Sequence, residues 1–154
     1  MAGTRANAFA RKATGKVVSA YRSGLEDKIA TQLETAGHPV VFEQFKLKYT
    51  VPERVASYTP DFILRNNIII ESKGIFDVED RKKHVLIREQ FPQLDIRFVF
   101  SSSRAKLYKG SKTTYAEWCE EHGFKFADKL IPAEWLKEKA KPIPEGVLIA
   151  KGVK

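Results

Sequence analysis

Cys119 is the only cysteine among 154 residues, so the chain cannot close an internal disulfide. No Cys/His cluster offers a structural zinc site. No apolar run approaches the roughly 20 residues that cross a bilayer, and no segment resembles the apolar stretch of a signal peptide. These absences exclude a disulfide scaffold, a zinc finger and a helical membrane protein. They point to a chain working in a reducing cytoplasm. There is no internal repeat, so a solenoid is excluded too.

Acidic residues are missing from one place in particular. Residues 1–22 carry five basic side chains, among them Arg5, Arg11, Lys12 and Lys16, and no acid. Residues 137–154 carry five basic and two acidic, and the stretch between carries 17 of each sign. The net charge of +8 therefore sits at the two ends. A neutral body with basic ends suits a catalytic core whose arms seek a polyanion; soluble basic tails are the plainer alternative. The chain reads as a flexible basic arm over residues 1–20, one domain over 21–136 and a basic tail over 137–154.

Along the chain, Ser23-Gly24-Leu25-Glu26 has the spacing of a capping box and opens a helix that Gly37 and Pro39 end. Residues 40–51 read as a strand and 52–57 as a connection. Phe62-Ile63-Leu64 and 68–72 read as two short strands joined through Arg65-Asn66-Asn67. Residues 77–91 read as a helix with Val78, Val85, Leu86 and Gln90 near one face, and 96–100 as a nearly apolar central strand. Strand, helix and strand make a βαβ unit, so the fold class is α/β. A further helix runs over 113–122, and a short one starts at Pro132. Trp118, Trp135 and Cys119 read as core residues.

The informative group is Asp61 in Tyr58-Thr59-Pro60-Asp61-Phe62, with Glu71 and Lys73 in Ile70-Glu71-Ser72-Lys73-Gly74. Residues two apart on a strand share a face, so Glu71 and Lys73 point together while Ser72 opposes them. A hairpin brings Asp61 beside that strand. Two carboxylates can then hold a hard cation while an ammonium orients water, the equipment for metal-assisted phosphodiester hydrolysis. The competing interpretation is a salt-bridge cluster at strand ends. Glu26, taken alone, reads as the acid of the capping box. Arg81, His84 and Arg88 share one helix face and, with Lys82 and Lys83, read either as a phosphate grip or as a solvated face. Ser101, Ser102, Arg104, Lys106 and Lys109 follow the central strand in a loop suited to gripping a nucleic-acid backbone.

The order Asp61, then Glu71-Ser72-Lys73, resembles the PD-(D/E)xK nuclease superfamily. The stretches Ser23-Gly24-Leu25-Glu26-Asp27-Lys28, Asp80-Arg81-Lys82-Lys83-His84, Ser101-Ser102-Ser103-Arg104, Leu107-Tyr108-Lys109-Gly110-Ser111 and Phe126-Ala127-Asp128-Lys129-Leu130-Ile131-Pro132 extend the match. Over about residues 20–136 the chain resembles the endonuclease I family of short-tailed coliphages, which are Holliday-junction resolvases. The resemblance implies a restriction-endonuclease-like core, with a mixed central sheet flanked by helices, in a domain-swapped homodimer. The segment from about 40 to 51 would bridge the halves. Each site would combine Glu26 of one chain with Asp61, Glu71 and Lys73 of the other, which replaces the capping role of Glu26. Mg²⁺, with Mn²⁺ as substitute, would sit on Asp61, Glu71, Glu26 and the Ser72 carbonyl. Ser72 stands where related enzymes can carry Thr.

The function expected is metal-dependent cutting of paired strands at four-way and other branched DNA junctions, in the cytoplasm of a phage's bacterial host. Lys73 would orient the attacking water and help deprotonate it. The alternatives are a sequence-specific or general duplex nuclease of the same superfamily and a non-enzymatic protein that binds branched DNA. The clustered acids argue against the last.

Overall fold

Ser23 starts the first helix, α1 (Gly24–Thr35), by accepting the Glu26 N–H on its Oγ at 3.1 Å. Gly37, at φ +76°, ends it: its N–H donates to the Glu34 carbonyl and the His38 N–H to that of Leu33, a Schellman closure. The computed structural model describes residues 23–152, so Arg5, Arg11, Lys12 and Lys16 lie outside the described residues.

The segment expected as one strand over 40–51 is broken. Glu43 takes φ +52°, a left-handed conformation in which a strand cannot continue. Before it, Phe42 makes an isolated bridge to Phe62; after it, β1 (Phe45–Val51) begins. β1 turns at Pro52-Glu53 into β2 (Arg54–Tyr58), pairing Val51 with Arg54 through Leu47 with Tyr58. Most of the expected connection over 52–57 is thus a strand. Pro52 pre-sets the turn, and Glu53 accepts φ +75° although it is not glycine.

β3 (Phe62–Ile63) and β4 (Ile69–Lys73) form the expected antiparallel pair. Asn67, at φ +72°, turns the chain between them and its N–H donates to the Leu64 carbonyl. Asp77 caps α2 (Val78–Gln90), which returns the chain to β5 (Ile96–Phe100), parallel to β4. A full capping box of Thr114 and Glu117 starts α3 (Tyr115–His122), and Gly123 ends it. β6 (Phe126–Asp128), not expected from the sequence, lies parallel to β5, and α4 (Ala133–Leu136) follows. The main sheet has the order β3-β4-β5-β6 and is mixed.

The side-chain alternation of β4 and β5 divides the core. Ile69, Phe98 and Phe100 pack with Ile87 of α2 and with Tyr115, Trp118 and Cys119 of α3. Ile70 and Val99 pack with Ile29, Ala30 and Leu33 of α1 and with Trp135 of α4. Helices therefore cover both faces of the sheet, as an α/β chain with a fully buried parallel pair requires. Burial of these apolar surfaces is the main stabilising contribution.

The inward face of α2 differs from the expectation. Its buried residues are Arg81, His84 and Ile87, while Val78 is exposed. The segment read as a basic tail over 137–154 packs against the body as far as Lys151, whose N–H donates to the Gln44 carbonyl at 3.1 Å. Buried Arg97 pairs with Asp95 and Glu138, each by two hydrogen bonds of 2.7–2.8 Å. Asn66 binds the carbonyls of Trp135 and Glu138, and Asn67 that of Lys141. β7 (Ile149–Ala150) then adds to β1, giving a second sheet of order β2-β1-β7. No helix among the described residues is long and apolar enough to cross a membrane.

Candidate active site

β4 and β5 run parallel, so their carboxyl ends open at the same edge, the usual ligand position in open α/β sheets. The Ser101 N–H, just after β5, donates to the Lys73 carbonyl at 3.1 Å and ties the two ends together. Alternation along β4 then distributes the chemistry. Ser72 faces the α1 side, where its N–H and its hydroxyl both donate to Asp61 Oδ2 at 2.9 Å. Glu71 and Lys73 face α2. The Ser72 side chain thus orients Asp61, a role its carbonyl alone would not have suggested.

Glu71 is 2% exposed. Its Oε2 accepts the Tyr58 hydroxyl at 2.7 Å and the Asp61 N–H at 2.9 Å. Burial, reinforced by the Asp61 charge and only partly opposed by Lys73 and these donors, pushes its carboxyl up to about 8. Burial likewise raises Asp61 to about 6, with Glu26 adding to the rise and the Ser72 donors opposing it. Two buried carboxyls that resist ionising together are characteristic of sites built for a cation or for proton transfer.

Glu26 and Asp61 come together within this single chain. Each offers a carboxylate oxygen to a group that also includes Glu43, all within 4.8 Å of one another. Glu43 reaches the group because its left-handed backbone turns the chain there, and its own N–H donates to the Asp61 carbonyl at 3.0 Å. Sequence reading missed Glu43, which is half-buried and joins the group only through its left-handed backbone. The donors are all oxygen, hard and anionic, which fits Mg²⁺ or Mn²⁺ and not a thiolate-seeking metal.

Lys73 Nζ lies 3.1 Å from Asp80 Oδ1, with Lys83 3.9 Å from the same oxygen. Burial works against the Lys73 charge, but Glu71, Asp80 and Asp61 outweigh it, so its pKa stands above the ordinary lysine value. Lys73 is therefore a fixed donor and a poor proton acceptor. Asp80 is the second residue that sequence reading left without a role.

The expected DNA-contacting residues separate. Lys82, Ser101, Ser102, Arg104, Lys106 and Lys109 are exposed, and Ser101 borders the site. Ser103, between them, is buried and holds both Asp128 oxygens, which fixes the start of the loop. The three other α2 residues differ in what they leave free. His84 is fully buried and cannot meet a surface phosphate. Arg81 is nearly buried, its guanidinium spent on the Phe76 carbonyl at 2.6 Å. Arg88 donates to the Gly123 carbonyl at 2.9 Å and covers the Phe124 ring, so it braces the end of α3.

This chain is similar to a family of phage proteins. The family model described as phage endonuclease I matches residues 5–154. Endonuclease I of Escherichia phage T7 is 59% identical over 137 residues, which cover 89% of this chain and 92% of the relative. Endodeoxyribonuclease 1 of Enterobacteria phage T3 is 58% identical over 136 residues, covering 88% and 90%. With acids, ammonium and strand ends arranged as above, and with these matches over nearly its whole length, the chain belongs to the phage endonuclease I family and is an endonuclease.

Proposed function

We propose that this endonuclease hydrolyses DNA phosphodiesters at four-way and other branched junctions, with Mg²⁺ as cofactor and Mn²⁺ as substitute, on a PD-(D/E)xK core. The observation that carries the reading is the meeting of Asp61, Glu71 and Lys73 with Glu26 at the carboxyl ends of β4 and β5. Such a set suits neither a stabilising ion pair nor a passive phosphate grip, since clustered acids repel DNA.

Asp61, Glu26 and Glu43 would hold the ion, with Glu71 and the Ser72 carbonyl beside them. Held there, a divalent cation supplies Lewis-acid charge against the phosphate oxygens. The chain's own groups do the rest. Ser72 keeps Asp61 turned toward the acids. Tyr58 and the Asp61 N–H hold Glu71. Lys73, kept protonated and fixed by Asp80, orients the attacking water and donates toward the charge that grows on the phosphate. The exposed Ser101, Ser102, Arg104 and Lys82 would hold the DNA backbone, which positions without reading sequence.

The working unit in this proposal is a homodimer that exchanges its N-terminal segments. Glu26 and Glu43 lie before the Pro52-Glu53 turn, and Asp61, Glu71 and Lys73 after it. Opening that one turn hands the first pair to a partner's second set without dismantling either core. Two sites at a fixed separation would then favour bent, branched DNA over straight duplex, a selection by shape. The place of action would be the cytoplasm of the phage's host.

Incubation of the protein with a four-way junction and a matched linear duplex, with Mg²⁺ or with chelator, tests this. Paired cuts near the branch, only with metal and with little duplex cutting, are expected. Equal cutting of both substrates would reassign the chain as a general duplex nuclease. Tight junction binding with no cutting in any divalent metal would remove the catalytic reading.

A further inference from the structure

His84 is the one fully buried ionisable side chain on α2, and the chemistry above does not use it. Its ring sits edge-on between Tyr58 and Phe98, with centroids 5.1 and 4.9 Å away, and faces Phe124 at 6.4 Å. Neither ring nitrogen has a hydrogen-bond partner among the described residues. Two unsatisfied nitrogens in an aromatic cage are a standing cost that a phenylalanine of similar shape would not bear. Cage packing alone therefore does not account for a histidine here.

What the ring faces supplies the account. Nε2 lies 3.9 Å from Glu71 Oε1. The other Glu71 oxygen is already held twice, by the Tyr58 hydroxyl and the Asp61 N–H. Tyr58, in turn, is one wall of the His84 cage. A carboxylate anchored through one oxygen still turns about its last torsion, which is broad for glutamate. A second anchor on Oε1 would fix its plane. Moving Nε2 by about 1 Å toward Oε1 makes an ordinary hydrogen bond.

We propose that His84 is a positioning residue for Glu71, its Nε2–H fixing the Oε1 edge of the carboxylate while Tyr58 fixes the other. The pair forms the outer layer of the site, in the way that buried donors elsewhere orient the residues that hold a cation. His84 touches neither DNA nor the reacting atoms. The proposal rests on Glu71 belonging to the active site, as argued above.

The test compares His84→Phe, which refills the cage without a donor, with His84→Gln, which keeps a donor at similar reach. Both variants are checked for cooperative unfolding. Mn²⁺ affinity is then measured by calorimetry, and the single-turnover cutting rate and DNA affinity on a four-way junction. A metal-free readout, the ¹³C shift of the Glu71 side-chain carboxyl at one pH, is taken in parallel.

For folded His84→Phe we expect a loss of roughly 10- to 100-fold in Mn²⁺ affinity and in cutting rate, unchanged DNA affinity and a displaced Glu71 signal. His84→Gln is expected to recover most of each. Wild-type metal affinity and an unmoved Glu71 signal in His84→Phe would overturn the proposal. So would a folded His84→Gln no better than His84→Phe, since ring shape would then be what matters. If the wild-type protein binds no Mn²⁺ while the Glu71 signal still moves and recovers, the metal reading falls and the positioning role stands.

Discussion

Glu71 shows how far a single residue can be read in advance and where reading stops. Its strand, its shared face with Lys73 and its partnership with Asp61 follow from spacing alone. Its proton does not. Burial and Asp61 raise the folded carboxyl to about 8 from the ordinary 4.5, so the native chain retains a proton that the unfolded chain releases. The stability linked to that proton is full below about pH 4.5 and lost as pH rises through about 8. We expect the metal-free protein to lose melting temperature steadily across that window. Glu71→Gln, neutral at every pH, should flatten the loss and raise the melting temperature at the alkaline end by on the order of 5 °C, while abolishing cutting. Added Mg²⁺ should stabilise the wild type more at about pH 8 than at about pH 6, because the ion competes with the proton. Scanning calorimetry across pH, with and without Mg²⁺, checks the three stability outcomes, and a junction-cutting assay checks the loss of activity. Glu43, Asp80 and Tyr58 escaped the sequence because their roles depend on long-range geometry. A left-handed residue, a helix register and a hairpin pairing bring them in, and none of these has a local signature.

Among the elements, α2 and the β1–β2 hairpin were the least legible. The apolar residues Val78, Val85 and Leu86 suggested one inward face, yet Arg81 and His84 lie inward with Ile87. Tertiary partners, the Phe76 carbonyl and an aromatic cage, overrode the hydrophobic pattern. The hairpin was hidden because Pro52-Glu53 lacks the Asn-Gly or Asp-Gly that marks a two-residue turn. Its strain makes it testable. Proline cannot adopt the φ of +75° that Glu53 holds. Glu53→Pro should therefore forbid the closed hairpin and drive β1 and β2 into one extended segment. Light scattering should then report a dimer of twice the 17.5 kDa chain mass, at concentrations where a closed chain would be single. A monomeric, folded Glu53→Pro would show that this turn is not the hinge of exchange.

At the scale of the molecule, the charge map was legible and the C-terminal packing was not. The basic excess at the ends was plain, but nothing local announced that Arg97 would reach Glu138, 41 residues on, or that Ile149–Ala150 would join β1. Deleting residues 2–16 removes Arg5, Arg11, Lys12 and Lys16. If all four meet phosphates, the slope of log affinity against log salt should fall by about 3–4. Filter binding of the four-way junction from low to moderate salt measures it, and an unchanged slope would leave the arm as a solubility tail.

The Pro52-Glu53 turn has one more implication, and it belongs to genetics. It partitions the acids into an upstream set with Glu26 and a downstream set with Glu71. If chains stay closed, a mixture of Glu26→Gln and Glu71→Gln proteins is as dead as either alone. If they exchange segments, each mixed pair concentrates both lesions in one site and leaves the other wholly wild type. Two null alleles would then restore one live site per mixed pair, and with it the cutting of one strand, within a single infected cell.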